Sequence, residues 1–322
     1  MRIIDELNGD AEKIAETIRT FIKEQVVGFK KKGLVIGVSG GIDSAVALTL
    51  AVQELGKDNV YGLLIPEKES APSSTSLGAE ICESLEISYE EVSISPILES
   101  LDIYDKKEQI IKRTCPEYDP RIHKTSLVLP DFLNQGLLNV PYIQLIKDGE
   151  AIAKYRLKAN DYLELIGLQN VKQRSRMLVQ YMCAEKMNYA VCGTTNKTEL
   201  ALGQFVKYGD GGVDIEPLAD CYKTQIYALA KLLNVDEAII QRPPSADTWS
   251  HFTSDEDFYW RMPIHVMDQL LYAQEHRLSV EVIEKNTELS RETIHKAQRH
   301  IDRMRNTTTY VRAAPPICYL GR

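Results

Sequence analysis

Residues 34–45 read LVIGVSGGIDSA. The first five form an unbroken apolar run, the pattern of a strand buried on both faces. A Ser-Gly-Gly turn follows, and residues 43–55, DSAVALTLAVQEL, read as a helix. The stretch thus predicts strand, tight turn and helix. Gly40 and Gly41 let the backbone approach an anion closely. The exposed amides and the positive helix end attract phosphate. Ser39 and Ser44 add hydroxyl donors. Asp43 is out of place in an anion site unless a cation accompanies the anion, so magnesium bridging Asp43 to phosphate oxygens is expected. The pattern is not GxxxxGK[ST], because no lysine follows the glycines, and it is not GxGxxG. The plainer reading is a strand–helix junction that needs glycines only for packing.

Outward from this stretch the same alternation continues. Residues 10–30 carry apolar groups at helical spacing (Ile14, Ile18, Phe21, Ile22, Val26), and Gly33 ends that pattern. VYGLLIP (60–66) is a second buried strand, 74–85 a helix, and ISYEEVSI (87–94) a third strand. A helix over 170–187 leads into YAVCGT (189–194), a fourth. Strand and helix alternate, so one α/β domain over 1–322 is expected, with a parallel doubly wound sheet and right-handed crossovers. Two regions break the rhythm. At about 102–165, YIQLIKDGEAIAKYRL alternates on both sides of Asp148-Gly149, the signal of an inserted β-hairpin excursion. Residues 243–263 are rich in turn formers and aromatics and read as a long lid loop. Residues 279–305 read as a C-terminal helix pair capped by Ser279 and Ser290, with a packing role favoured over DNA binding.

Bulk properties narrow the function. The 322 residues are 44% hydrophobic and 26% charged, with a net charge of -8. An acidic chain without a basic stripe argues against nucleic acid as a partner. No apolar run approaches a membrane span. The start, MRIIDELNGDAEKIAE, has no basic region ahead of an apolar core, so no secretory leader is read and a cytoplasmic location is expected. The six cysteines are scattered without a CxxC pair and read as reduced thiols. His295 and His300 are five apart on one predicted helix and point in different directions.

A second chemical stretch is VCGTTNKTELALGQFVKYGDGGVDIEPLADCYKTQIYALA, 191–230. It leaves the fourth strand through a polar, Gly-rich loop. Sites of open α/β sheets lie at strand carboxyl ends. Thr194, Glu199, Lys207 and Lys223 are therefore expected to converge near the first loop. Glu199 would complete the metal site with Asp43, and the two lysines would neutralise charge developing on phosphate. The plainer reading is a solvated loop with ordinary surface lysines.

SGGIDS, NVKQRSRM (170–177), GTTNKTE (193–199), KYGDGGVD (207–214), PLADCYKTQ (217–225) and PSAD (244–247) occur in the order and spacing of NAD synthetases. The chain resembles the ammonia-dependent type of that family, within the N-type ATP pyrophosphatases, over about 30–100 and 168–316. The resemblance implies a flavodoxin-like sheet of the adenine nucleotide alpha hydrolase type and ATP as substrate with Mg2+. It implies amidation of nicotinic acid adenine dinucleotide (deamido-NAD) to NAD through an acyl-adenylate, releasing AMP and pyrophosphate. By matching position, Ser39, Gly40, Gly41 and Ser44 hold phosphate, and Asp43 and Glu199 ligate magnesium. Thr194 and Lys223 contact ATP, with Ser245 near its phosphates. Arg174, Lys207 and Asp214 line the dinucleotide site, and Asp210 lies near the ammonia position. Asp43, Lys207, Asp210 and Lys223 are the implied catalytic set. A homodimer is implied, its interface building the dinucleotide site. No glutaminase domain is read before residue 30, so free ammonia or a separate glutaminase is implied as nitrogen source.

Three stretches depart from the family pattern: TWSHFTSDEDFYW after PSAD, the long insertion, and TTTYVRAAPP where a Lys-Arg pair normally precedes the prolines. They leave open a divergent homologue that amidates or adenylates another carboxylate. A regulatory nucleotide-binding protein without turnover is disfavoured by the intact Asp43, Glu199, Lys207 and Lys223. A tRNA thiolase is disfavoured by the missing cysteine pair and basic face.

Overall fold

The computed structural model describes residues 2–129, 140–243 and 260–320. Two helices, α1 (Ile3–Asn8) and α2 (Ala11–Gly28), lead into β1 (Leu34–Gly37) and α3 (Ile42–Leu55). β2 (Val60–Leu64), α4 (Pro72–Ser84) and β3 (Ser88–Glu91) repeat the alternation. Then come α5 (Ser95–Ser100), α6 (Ile103–Thr114) and three strands, β4 (Lys124–Val128), β5 (Tyr142–Lys147) and β6 (Glu150–Arg156). The long α7 (Ala159–Met187) returns the chain to β7 (Ala190–Cys192). α8 (Lys197–Leu202), α9 (Lys223–Leu232) and α10 (Glu237–Ile240) follow. The rest is helical: α11 (Ile264–Glu275), α12 (Val280–Thr287), α13 (Arg291–Thr307) and the short α14 (Thr309–Arg312).

The central sheet has the order β3-β2-β1-β7, every pair parallel. Leu34, Val35 and Ile36 are fully buried. Leu34 and Ile36 pack with Ile18 and Ile22 of α2, Leu48 of α3 and Leu229 of α9. Val35 faces the other way, toward Val179 and Ala184 of α7. Helices cover both faces, which is why this strand is apolar at every position. Truncating Leu34 to Ala would cost about 3 kcal/mol. β2 and β3 lie on one side of β1 and β7 on the other, so the winding reverses between β1 and β7. A crevice opens at the carboxyl ends of strands at such a switch point.

The hairpin expected at Asp148-Gly149 is present. Both residues have positive φ (51° and 86°), and β5 and β6 pair antiparallel around them. β4 pairs with the other edge of β5, so the excursion is three-stranded. It ends sooner than expected, because α7 begins at Ala159 and not near 170. Its buried stripe, Leu165, Gln169, Lys172, Ser175 and Val179, runs through two buried polar residues and a buried lysine that a hydrophobic pattern does not register. The C-terminal helix pair is α12 and α13, joined by α11 in one apolar cluster with α1. Ser290 caps α13 by accepting the Thr293 amide at 3.2 Å, whereas the Ser279 side chain bonds none of the first amides of α12. α1 contributes Ile3 and Leu7 to this cluster, and the Ile3 amide donates to Asn286 Oδ1 at 2.7 Å. Most of the segment read as a lid lies outside the described residues, as does Ser245. Among the described residues no helix is long and apolar enough to cross a membrane, and all six cysteines are free thiols.

Candidate active site

The glycine turn sits one residue past the sheet, where the Val38 amide still pairs with Leu63 O at 2.8 Å. Gly40 has φ +68°, and a Cβ there would lie 2.4 Å from Ser74 O, so the position is closed to side chains. The turn is internally braced. The Gly41 amide donates to Ser39 Oγ at 3.3 Å, and Ser44 Oγ donates to Gly41 O at 2.9 Å. Arg242 holds it from behind, with Nη1 3.4 Å from Gly40 O and Nη2 2.6 Å from Ser74 Oγ.

Asp43 stands in the first turn of α3. One carboxylate oxygen accepts Asn196 Nδ2 at 2.9 Å, and the other bonds the Lys223 ammonium. Lys223, the first residue of α9, is 1% exposed, and its Nζ lies 3.7 Å from Glu199 Oε1. Asn196 and Glu199 form a reciprocal capping box on α8: the Glu199 amide donates to Asn196 Oδ1 at 3.0 Å and the Asn196 amide to Glu199 Oε2 at 3.2 Å. The cap therefore also aims both side chains at Asp43 and Lys223. Asp43 and Glu199 bring two hard carboxylate donors within reach of one ammonium. That set suits magnesium shared with phosphate oxygens. Among the described residues no group of three or more His, Cys, Asp or Glu is arranged to hold a metal by itself.

These groups open onto a cleft of about 760 Å³, whose lining includes Ser39, Gly41, Asp43, Thr194, Glu199 and Lys223. Asp210 also lines it; burial pushes its carboxyl up to about 6, and it accepts the Val206 amide at 2.8 Å. Glu216 lies behind Gly193 and accepts the Thr195 amide at 3.2 Å, and burial lifts its carboxyl to about 8.

The expected convergence of Lys207 with these residues does not occur within one chain. Lys207 does not line the cleft, and its Nζ donates to Tyr310 O (2.8 Å) and Ala313 O (2.5 Å) near the C-terminus. Arg174 is exposed, and its Nε donates to Lys207 O at 3.3 Å. Asp214 accepts Tyr181 Oη at 3.1 Å and the Val191 amide at 2.8 Å. Neither lines the cleft. The tail itself does, through Thr307, Thr308, Tyr310 and Val311. Asn196 and Arg242 escaped the sequence reading. The Asn-x-x-Glu spacing of a capping box was a usable signal for Asn196, and nothing local marked Arg242.

A second charged group lies at the end of β2. Lys172 Nζ bonds Glu67 Oε1 at 2.7 Å and Glu69 Oε2 at 2.6 Å, and Lys107 bonds the same Glu69 oxygen at 2.7 Å. Tyr104 Oη donates to Glu67 at 2.7 Å. Lys172, Lys107 and Glu67 are buried. The network fixes the loop after β2, whose Pro66 and Ser70 line the cleft, against α6 and α7.

A parallel sheet thus carries an anion-ready turn at its switch point, faced by two carboxylates around a lysine. The NAD synthase family model matches residues 14–122 and 138–315. The NH3-dependent NAD+ synthetase of Mesorhizobium japonicum is 36% identical over 307 residues, covering 95% of each chain. That of Thermotoga maritima is 37% identical over 284 residues, covering 88% of this chain and 92% of its own. The solved NH3-dependent NAD synthetase of Campylobacter jejuni superposes with a TM-score of 0.63 at 25% identity, over 96% of this chain and 99% of that one. The NMN synthetase of Francisella tularensis shares the fold, with a TM-score of 0.67 at 23% identity over 96% and 98% of the two chains. The chain belongs to the NAD synthase family.

Proposed function

We propose that this protein is an ammonia-dependent NAD synthetase, a carbon–nitrogen ligase that converts deamido-NAD, ATP and ammonia to NAD, AMP and pyrophosphate. The observation that carries the reading is the meeting of Asp43, Glu199 and Lys223 beside the Ser39–Ser44 turn, in a chain of this family.

The nicotinate carboxylate oxygen attacks the α-phosphorus of ATP, the bond from that phosphorus to the bridging oxygen breaks, and pyrophosphate leaves. The amides and hydroxyls of Ser39, Gly40, Gly41 and Ser44 hold the phosphate chain at the positive end of α3. Asp43 and Glu199 would hold a magnesium ion, which would supply charge neutralisation for the phosphates. Lys223 offers its ammonium to the phosphate oxygens, and Thr194 and Ser245 complete the ATP contacts. Ammonia then adds to the acyl carbon and AMP leaves with the former carboxylate oxygen. Asp210, on the cleft wall, accepts an N–H of the incoming nitrogen, which arrives as free ammonia or from a separate glutaminase. A cytoplasmic location accords with these substrates.

Arg174, Lys207 and Asp214 belong to the dinucleotide site in this reading, and a homodimer accounts for their place outside the cleft. Arg174, Leu178 and Met182 follow one another at four-residue spacing on the exposed side of α7, with Leu178 and Met182 more than half exposed. An apolar stripe beside a substrate-reading arginine supports a second copy packing there. Leu178→Glu with Met182→Glu should yield monomers by sedimentation and raise the KM for deamido-NAD; an unchanged dimer would remove the assignment of the interface. The activity test incubates the protein with ATP, magnesium, ammonium and deamido-NAD, with a mononucleotide carboxylate in parallel. NAD formed in equal amount with AMP and pyrophosphate is expected. Release of ADP and orthophosphate, or turnover of the mononucleotide alone, would overturn the proposal.

A further inference from the structure

The two carboxylates and the lysine that meet at the cleft are carried by three helices: Asp43 on α3, Glu199 in the first turn of α8, and Lys223 at the start of α9. Helices α8 and α9 are joined through one carboxylate that does not line the cleft. Asp268 of α11 is fully buried. Its Oδ1 accepts Thr198 Oγ1 at 2.6 Å, and its Oδ2 accepts the Thr224 amide at 2.7 Å and Thr224 Oγ1 at 2.6 Å. Thr198 Oγ1 accepts the Lys223 amide at 3.1 Å. Thr198 lies between Asn196 and Glu199 in sequence, and Thr224 follows Lys223.

The first amides of a helix have no partner within it. Asp268 satisfies that of Thr224 directly and that of Lys223 through the Thr198 hydroxyl. A negative charge at this end also complements the helix dipole. A buried carboxylate is costly unless its lone pairs are engaged, and these three donors engage both oxygens. The same atoms thus fix how far apart α8 and α9 begin, and hence where Glu199 and Lys223 stand relative to Asp43.

We propose that Asp268 is a positioning residue for the reaction, setting the registry of Glu199 and Lys223 through Thr198 and Thr224 without touching substrate. This rests on the function proposed above. The competing role is a plain clamp between the C-terminal helices and the sheet, which would affect stability alone. A displacement of about 1 Å in a catalytic constellation costs on the order of 100-fold in rate, so the two roles separate in kcat.

The full chain and its Asp268→Asn, Thr198→Val and Thr198→Ser variants are compared for kcat, KM for ATP and thermal melting. Near-UV circular dichroism at the assay temperature reports the folded fraction. Asp268→Asn removes the charge and one acceptor. Thr198→Val keeps the shape and Asp268 but breaks the relay to Lys223. Thr198→Ser restores the hydroxyl. Both Asp268→Asn and Thr198→Val should lower kcat roughly 30- to 100-fold with KM for ATP within about threefold, and Thr198→Ser should stay near the parent. Parental kcat in folded Asp268→Asn or Thr198→Val overturns the proposal, as does a loss that merely tracks the unfolded fraction. If Asp268→Asn does not fold, Thr198→Val alone decides. An inactive parent would sink the function itself, whereas an active parent with an unaffected Thr198→Val variant sinks only the positioning role.

Discussion

Replacing Lys223 with Met keeps the buried stem and removes the ammonium that Asp43 and Glu199 share. Breaking a fully buried ion pair on one side costs about 3–5 kcal/mol. Here the carboxylates retain 18% and 17% exposure, so water recovers part of that and about 2–3 kcal/mol is expected. At roughly 2–3 °C per kcal/mol for a chain of this size, melting should fall by about 4–9 °C. The two carboxylates then face each other uncompensated and become a better magnesium site in the absence of ATP. At ten times the dissociation constant a bound ion returns about 1.4 kcal/mol, so magnesium should raise melting of Lys223→Met by about 3–4 °C. It should leave the ATP-free parent almost unmoved, because Lys223 already occupies the carboxylates. Differential scanning fluorimetry over a magnesium series, with a chelator control, measures both shifts. Equal magnesium shifts in parent and variant would refute the reasoning, because Asp43 and Glu199 would then not form a common cation site.

Asp43→Asn should fold normally and lose turnover by orders of magnitude, read as AMP and pyrophosphate release; full activity would remove Asp43 from the site. Lys172→Met leaves the buried Glu67 without an ammonium, while Glu69 keeps Lys107, and should cost about 3–5 kcal/mol in urea unfolding, much more than the exposed pair of Lys57 and Glu86 would on losing its lysine. Glu216→Gln should show a pH-dependent benefit. The Glu216 carboxyl goes from 4.5 to about 8 on folding, so the native state binds the extra proton and loses stability as pH rises between those values. The amide has no such loss, and its advantage over the parent should grow from pH 5 to pH 8 by roughly 3.5 kcal/mol, while a pH-independent difference would contradict the assignment.

The central sheet and the phosphate turn were legible because both follow from local pattern. A strand covered on two faces must be apolar throughout, and a turn position where an added Cβ would lie 2.4 Å from another backbone oxygen must be glycine. Asp43, Glu199 and Lys223 could be placed together because strand ends of an open sheet converge at its switch point. The supporting residues could not be found this way. Asp268 reaches Thr198 and Thr224 across 70 and 44 residues, and nothing near it in sequence marks a buried aspartate. Nothing in the sequence around Lys172 and Lys107 marks them as buried, since lysine is seldom buried unless paired and their partners Glu67 and Glu69 are on a distant loop. The early start of α7 was hidden for the same reason. Lys207, expected beside the first loop, reaches instead to the C-terminal residues Tyr310 and Ala313, because spacing along a chain does not say which surface a side chain faces.

The docking of α1 against α11 and α12 has a consequence for the order in which the protein is made. Ile3 and Leu7 are made well before their partners, because the cluster that buries them consists of residues from Leu202 to Ile301. At roughly 5–20 residues per second, the start of α1 precedes Trp260 by about 13–50 s. Through that interval α2, β1 and α3 have partners in each other, whereas the two buried apolar side chains of α1 lack most of theirs. α1 thus docks only after the helices that cover it have been made, and bulk placed just ahead of Ile3 would be felt by those helices.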